Sequence, residues 1–118
     1  SLLYLVTETV ATGRRHHITE KTFKPIALGM PFVLVATHGS LEYLRSYGFR
    51  TFGHLWDESY DQESNDLQRY EKIAWTLKSL DELPRACKQK LLVQAQEVCE
   101  HNFNHFYNGG FEFHLKFQ

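Results

Sequence analysis

The chain has 118 residues, 42% of them hydrophobic and 23% charged, with a formal net charge of -1. This length suffices for one domain whose core needs no disulfide or metal to fold. The near-zero charge removes the electrostatic argument for a nucleic-acid partner or an anionic membrane surface.

The first apolar run, "LLYLV" at residues 2 to 6, has the continuous hydrophobicity of a strand covered on both faces. It opens the sequence without a polar lead-in, so we expect a piece of a longer protein. No apolar run approaches the roughly 20 residues that cross a bilayer, and the start lacks the basic region and cleavage site of a signal peptide. A soluble protein without a membrane span is expected. The two cysteines, Cys87 and Cys99, fall on one expected helix, about 18 Å apart along its axis at 1.5 Å per residue, too far to bridge. Free thiols suit a reducing compartment, and a cytoplasmic location is expected.

The loop "TETVATGRRHH" follows the first strand, and Thr19 then offers a hydroxyl cap to a short helix from Glu20 to about Leu28. Phe23, Ile26 and Ala27 fall at helical spacing, and Pro25 is compatible only with the first turn. "PFVLVAT" is a second strand, parallel to the first because a helix joins them. "GSLEYLRSYG" is a second short helix, capped by Ser40, with Leu41 and Leu44 inward and Gly48 as a left-handed stop. "FRTF" reads as a third short strand. Then come two longer helices. Residues 64 to 80 carry Leu67, Tyr70, Ile73, Leu77 and Leu80 on one side and Arg69, Glu71, Lys72 and Lys78 on the other. Residues 85 to about 107 carry Leu91, Leu92, Ala95, Val98 and Asn102. The tail from Phe111 alternates apolar and polar residues, like an edge strand or extended arm. The expected fold is α/β: a Rossmann-like three-layer half domain with a short parallel sheet, followed by two longer C-terminal helices, all in one unit from 1 to 118.

In an open parallel sheet, ligands bind beyond the carboxyl ends of the strands, where helix starts present free amides to anions. The loop "TETVATGRRHHITEK" lies at that edge. Its cations Arg14, Arg15 and Lys21 suit a diphosphate, and its carboxylates Glu8 and Glu20 suit the paired hydroxyls of a ribose. Read alone, Glu20 and Lys21 are also good helix-start residues on a solvated face. His16 and His17 point opposite ways in an extended loop and lack partners for a metal set, so no metal is expected.

The stretch "YLVTETVATGRRHHITEKTFKPIALGMPFVLVAT" resembles the donor-binding segment of the alpha-1,3-fucosyltransferases. That pattern is a strand ending in an acid, a loop, Thr-Glu-Lys opening a helix, and Gly-x-Pro leading into a strand. The matching positions are Glu8, Thr19, Glu20, Lys21, Gly29 and Pro31. The chain departs from the pattern at Thr22, Phe23, Ala36 and Thr37. The resemblance implies the C-terminal, donor-binding half of a two-domain GT-B glycosyltransferase. It implies that Glu20 holds the ribose of a GDP-sugar and Lys21 its phosphates; Glu8 and Thr19 are matched positions beside them, and Arg14 and Arg15 join the expected nucleotide-sugar site by their charge and their place in the loop. It further implies transfer of a sugar, such as fucose, to the hydroxyl of a glycan or other acceptor. No catalytic base maps onto this chain; in the resembled family it belongs to the N-terminal half, so this piece alone is expected to be inactive. The donor is a substrate, and no separate cofactor is expected.

Two other readings stand beside this one: a non-catalytic nucleotide-binding or interaction module on the same frame, and a different enzyme using the same crevice. The acidic stretch "LWDESYDQESND" lacks the glycine turn and terminal glutamate of a calcium loop and reads as a solvated loop entering a helix. Its position after the expected third strand would place Asp57, Glu58 and Tyr60 near the donor crevice. Phe103, Phe106 and Tyr107 have the spacing of core or interface packing.

Overall fold

The computed structural model describes residues 3–7 and 20–108. These form an α/β arrangement in which β1 (Tyr4–Thr7) and β2 (Phe32–Val35) make a two-stranded parallel sheet, with Tyr4 opposite Phe32 and Thr7 opposite Val35. The described α-helices are α1 (Glu20–Ala27), α2 (Ser40–Ser46), α3 (Asp66–Asp81) and α4 (Arg85–Asn108), with a 3-10 turn at Ser59–Gln62. The expected parallel pairing of the two strands is thus observed. The alternating tail lies outside the described residues.

β2 is the centre of the core: Phe32, Val33 and Leu34 are buried. β1 is covered on one face. Val6 is buried, but Leu5 is 51% exposed, which corrects the expectation of a strand enclosed on both sides. α1 presents Thr22, Phe23 and Ile26 inward and Lys21 and Lys24 outward. Phe23 meets Phe49 and Phe106, with ring centres 5.9 and 5.5 Å apart, and so ties α1 to α4. Pro25 is the sixth residue of α1, not part of its first turn. It is buried, and the helix stops two residues later. Gly29, at φ 69°, then reverses the chain while its N–H donates to the Ile26 carbonyl and that of Met30 donates to the Pro25 carbonyl.

The expected third strand is absent from the described residues. Phe49 and Phe52 are buried as a strand would bury them, but their segment has no neighbouring strand, and side chains satisfy its backbone instead. The Asn102 carboxamide of α4 accepts from Arg50 N–H at 2.8 Å and donates to Arg50 C=O at 2.9 Å, completing both bonds that a ladder partner would make. His101 and His105 place Nε2 at 2.9 and 2.6 Å from the Gly48 and Tyr47 carbonyls. Glu58 accepts from Phe52 N–H at 3.0 Å. Gly48 has φ 93°, as a left-handed stop requires, and a Cβ there would come 2.7 Å from His105 Nε2.

α3 is rotated from its expected orientation. Arg69, Ile73 and Thr76 form its buried face, Leu77 and Leu80 are half-buried, and Leu67 and Tyr70 stand in solvent, 69% and 48% exposed. The cause is Arg69. Its guanidinium donates to the Ala36 carbonyl at 2.8 Å, the Glu63 carbonyl at 3.0 Å and Asp66 Oδ1 at 2.7 Å, so its burial leaves the charge well supplied with acceptors. Asn65 caps the helix by accepting from Gln68 N–H at 2.9 Å. On α4, Ala95, Val98, Cys99 and Asn102 are buried and Leu91 and Leu92 half-buried, in agreement with the expected face. Burial raises the Cys99 thiol to about 11, whereas Cys87 is exposed.

Candidate functional site

The parallel sheet and its crossover direct attention to the carboxyl ends of β1 and β2. Four residues separate the end of α1 from the start of β2, so its last turn lies by the strands' amino ends. Its first turn, Glu20 and Lys21, lies toward the other end of the unit. Lys21 is exposed. Glu20 opens the helix, and Glu8, Arg14, Arg15 and Thr19 lie outside the described residues, as do His16 and His17. The structure therefore gives the position of two of the six candidate donor-binding residues along the backbone, and a side-chain environment for Lys21 alone.

Beyond β2 the geometry is fully defined. Ala36 is held through its carbonyl by Arg69, and the Ser40 hydroxyl donates to the Thr37 carbonyl at 2.7 Å. Ser40 is thus not the cap of α2. That task falls to Asp61, 3% exposed, whose two carboxylate oxygens accept from Leu41 N–H at 2.8 Å and Glu42 N–H at 3.1 Å. Its own carbonyl accepts from Gly39 N–H at 2.6 Å. A carboxylate held there satisfies the orphan amides and complements the helix dipole from 20 residues away in the chain. The start of α2 is therefore already occupied by an anion of the protein itself, and an incoming phosphate would have to displace it.

The acidic stretch is solvated at Asp57, Ser59, Gln62 and residues 64–66 and enters α3 at Asp66 as expected, but Tyr60 and Asp61 are buried and its carboxylates accept hydrogen bonds within the protein. Asp57 accepts from Ser59 N–H at 2.8 Å, and that bond, with the Ser59 hydroxyl, lowers its carboxyl below the usual range. Glu63 is lowered chiefly by the Asn65 N–H, then by Lys72, whose ammonium stands 3.3 Å away. Glu58 goes the other way. Its side chain is 8% exposed, and burial raises its carboxyl against the opposing pull of Phe52 N–H, the Thr51 hydroxyl and Arg45 at 3.8 Å. Tyr60 is buried, and burial followed by the nearby Glu58 and Asp61 carboxylates raises its phenol strongly. Among the described residues, no group of three or more His, Cys, Asp or Glu side chains is disposed to hold a metal ion.

No protein-family model, curated protein or solved structure matches the chain. The candidate site accordingly rests on its own chemistry.

Two hollows flank this region. One, of about 490 Å³, is lined mainly by Leu3, Leu5, Pro31, Trp56, Leu91 and Leu92. Leu3 and Pro31 immediately precede β1 and β2, so this apolar groove sits by the amino ends of the strands, away from the edge where a nucleotide would bind. The second, of about 320 Å³, lies between the 57–59 segment and the outer side of α3 and is lined by Asp57, Ser59, Gln68, Glu71, Lys72 and Trp75. No described helix is long and apolar enough to cross a membrane.

Sequence pattern does not mark Arg69, Asp61 and Glu58 as buried polar groups, whereas Asn102 falls on the inward face that spacing gives α4. A helix pattern with a charged residue two positions after Leu67 gives no sign of burial: Asp66 and Glu63 are near it in the chain, but the buried acceptor, the Ala36 carbonyl, is 33 residues away. Asp61 is distinguishable only as one acid among several.

Proposed function

We propose that this chain is the nucleotide-sugar-binding part of a glycosyltransferase, with a donor of the GDP-sugar type held at the start of α1. The observation that supports this most is the parallel β1–α1–β2 crossover whose helix opens with Glu20 and Lys21. It is the frame that the resemblance to alpha-1,3-fucosyltransferases implies for residues 4 to 37. On this reading Lys21 neutralises the diphosphate and stabilises it as the leaving group, while Glu20 accepts from the ribose hydroxyls. Glu8, Arg14, Arg15 and Thr19 complete the donor site from the preceding loop. The Rossmann-like half-domain assignment belongs to the same proposal, as does a glycan or other hydroxyl acceptor.

Calorimetric titration of the 118-residue chain with guanosine, GDP and UDP tests it. Lys21→Ala is expected to weaken GDP about ten- to hundredfold, the loss of one charge-assisted contact of about 1.5–3 kcal/mol, and to leave guanosine nearly unchanged. Glu20→Gln is expected to weaken both. Equal GDP affinity for wild type and Lys21→Ala would remove the phosphate role. Failure of wild type to bind GDP at about 1 mM, about −4 kcal/mol, would remove the nucleotide reading. A non-catalytic module on the same frame would bind GDP equally well but, joined to its full-length protein, would transfer no sugar.

A further inference from the structure

Trp75 is 67% exposed on α3. A single exposed apolar residue is ordinary on a protein surface, so what matters at Trp75 is the hollow it lines. Its surroundings are polar: Asp57, Ser59, Gln68, Glu71 and Lys72 share the 320 Å³ hollow with it. The hollow is also held in shape. The Thr76 hydroxyl, one residue beyond Trp75, donates to the Asp57 carbonyl at 3.2 Å and clamps the 57–59 segment beside α3. Asp57 is oriented by Ser59 N–H at 2.8 Å, and Lys72 is drawn toward Glu63 at 3.3 Å.

We propose that this hollow binds a pyranose ring of a glycan, with Trp75 as the stacking platform and Asp57, Gln68 and Glu71 as partners for the sugar hydroxyls. The inference stands on this hollow alone and does not depend on the nucleotide site at α1. A β-linked pyranose has one face of C–H groups bearing small positive charge, which suits the negative face of an indole. Its rim of hydroxyls needs a few fixed acceptors and donors, which planar carboxylates and a carboxamide provide. An anion is disfavoured, since Asp57 and Glu71 outnumber Lys72 and that ammonium stands beside Glu63. A quaternary ammonium is disfavoured too, because such cations are held in cages of several aromatic rings and Trp75 is the one aromatic residue among the described residues lining this hollow.

The chain has two tryptophans, Trp56 and Trp75, so the two indole N–H signals of ¹⁵N-labelled full-length chain separate the outcomes. Titration with lactose and with N,N′-diacetylchitobiose is expected to move the Trp75 signal saturably, with a dissociation constant of about 1–10 mM for so small a contact, and to leave Trp56 in place. Trp75→Ala is expected to abolish binding of both sugars without changing the melting temperature, and Asp57→Asn to weaken binding several-fold. GDP in a parallel titration reports on α1 separately, so either site can fail without the other. The proposal is overturned if neither sugar moves the Trp75 signal at about 50 mM, several times the weakest expected dissociation constant. It is overturned equally if Trp75→Ala binds the sugars as wild type does, or if choline chloride moves the signal saturably and the sugars do not.

Discussion

Replacing Asp61 separates two accounts of how α2 begins. The sequence nominates Ser40 as the cap, whereas in the structure the Asp61 carboxylate accepts from Leu41 N–H at 2.8 Å and Glu42 N–H at 3.1 Å while only 3% exposed. Hydrogen bonds to a charged group contribute about 1.5–3 kcal/mol each, and loss of a helix cap costs about 0.5–2 kcal/mol. The two bonds share one carboxylate and are not additive, so Asp61→Ala is expected to cost about 3 kcal/mol. For a domain of this length each kcal/mol lowers the melting temperature by about 3–6 °C, giving a fall of about 9–18 °C. Asp61→Asn keeps one acceptor, turns an NH₂ group toward the second amide and loses the charge; it should fall between. Ser40→Ala removes a hydroxyl bonded to the Thr37 carbonyl and is expected to cost about 1 kcal/mol. Thermal and urea melts followed by circular dichroism, with all variants at one pH and salt concentration, provide the comparison. If Ser40→Ala proves more damaging than Asp61→Ala, the assignment of the cap to Asp61 is refuted.

Two further substitutions address the segment that replaces the expected third strand. Glu58 has its carboxyl raised mainly by burial, so the folded state binds a proton more tightly than the unfolded state, and stability falls as pH rises from the unfolded value through the higher folded one. Glu58→Gln keeps an oxygen for Phe52 N–H and removes that dependence. The Arg45 pair, at 3.8 Å with Arg45 partly exposed, offsets little. The variant should therefore gain on wild type as pH rises from about 4 to about 7, and urea melts that diverge in the opposite sense would count against the burial argument. Asn102→Ala leaves the N–H and C=O of Arg50 without the amide that now serves both, an expected loss of about 2–3 kcal/mol. Hydrogen exchange should show the Arg50 amide losing protection; an unchanged rate would mean that the amide has another partner.

Much of the framework is legible from local pattern. The continuous apolar run before Thr37 marks β2 because a strand at the centre of a core has no polar face. Gly29 and Gly48 mark the ends of α1 and α2 because only glycine accepts their positive φ without strain. The inward face of α4 follows from spacing alone. Strand pairing is also accessible, since a helical crossover between neighbouring strands implies a parallel ladder.

What the sequence alone could not decide is where each polar group finds its partner. "FRTF" has the composition of a strand, yet strand character is a property of a pair, and a single carboxamide from Asn102 takes the place of the missing neighbour. Arg69 carries a charge that places it outside by any pattern, yet it lies on the buried face of α3, where the Ala36 carbonyl from 33 residues away accepts from it beside the local Glu63 and Asp66 oxygens, while Leu67 and Tyr70 face water. Asp61 is indistinguishable in the sequence from the acids beside it until the fold brings it to the start of α2. Hydrophobic burial depends on the residue and its period, which local sequence encodes. Satisfying a buried charge or amide depends on groups distant in the chain, and only tertiary structure brings those together.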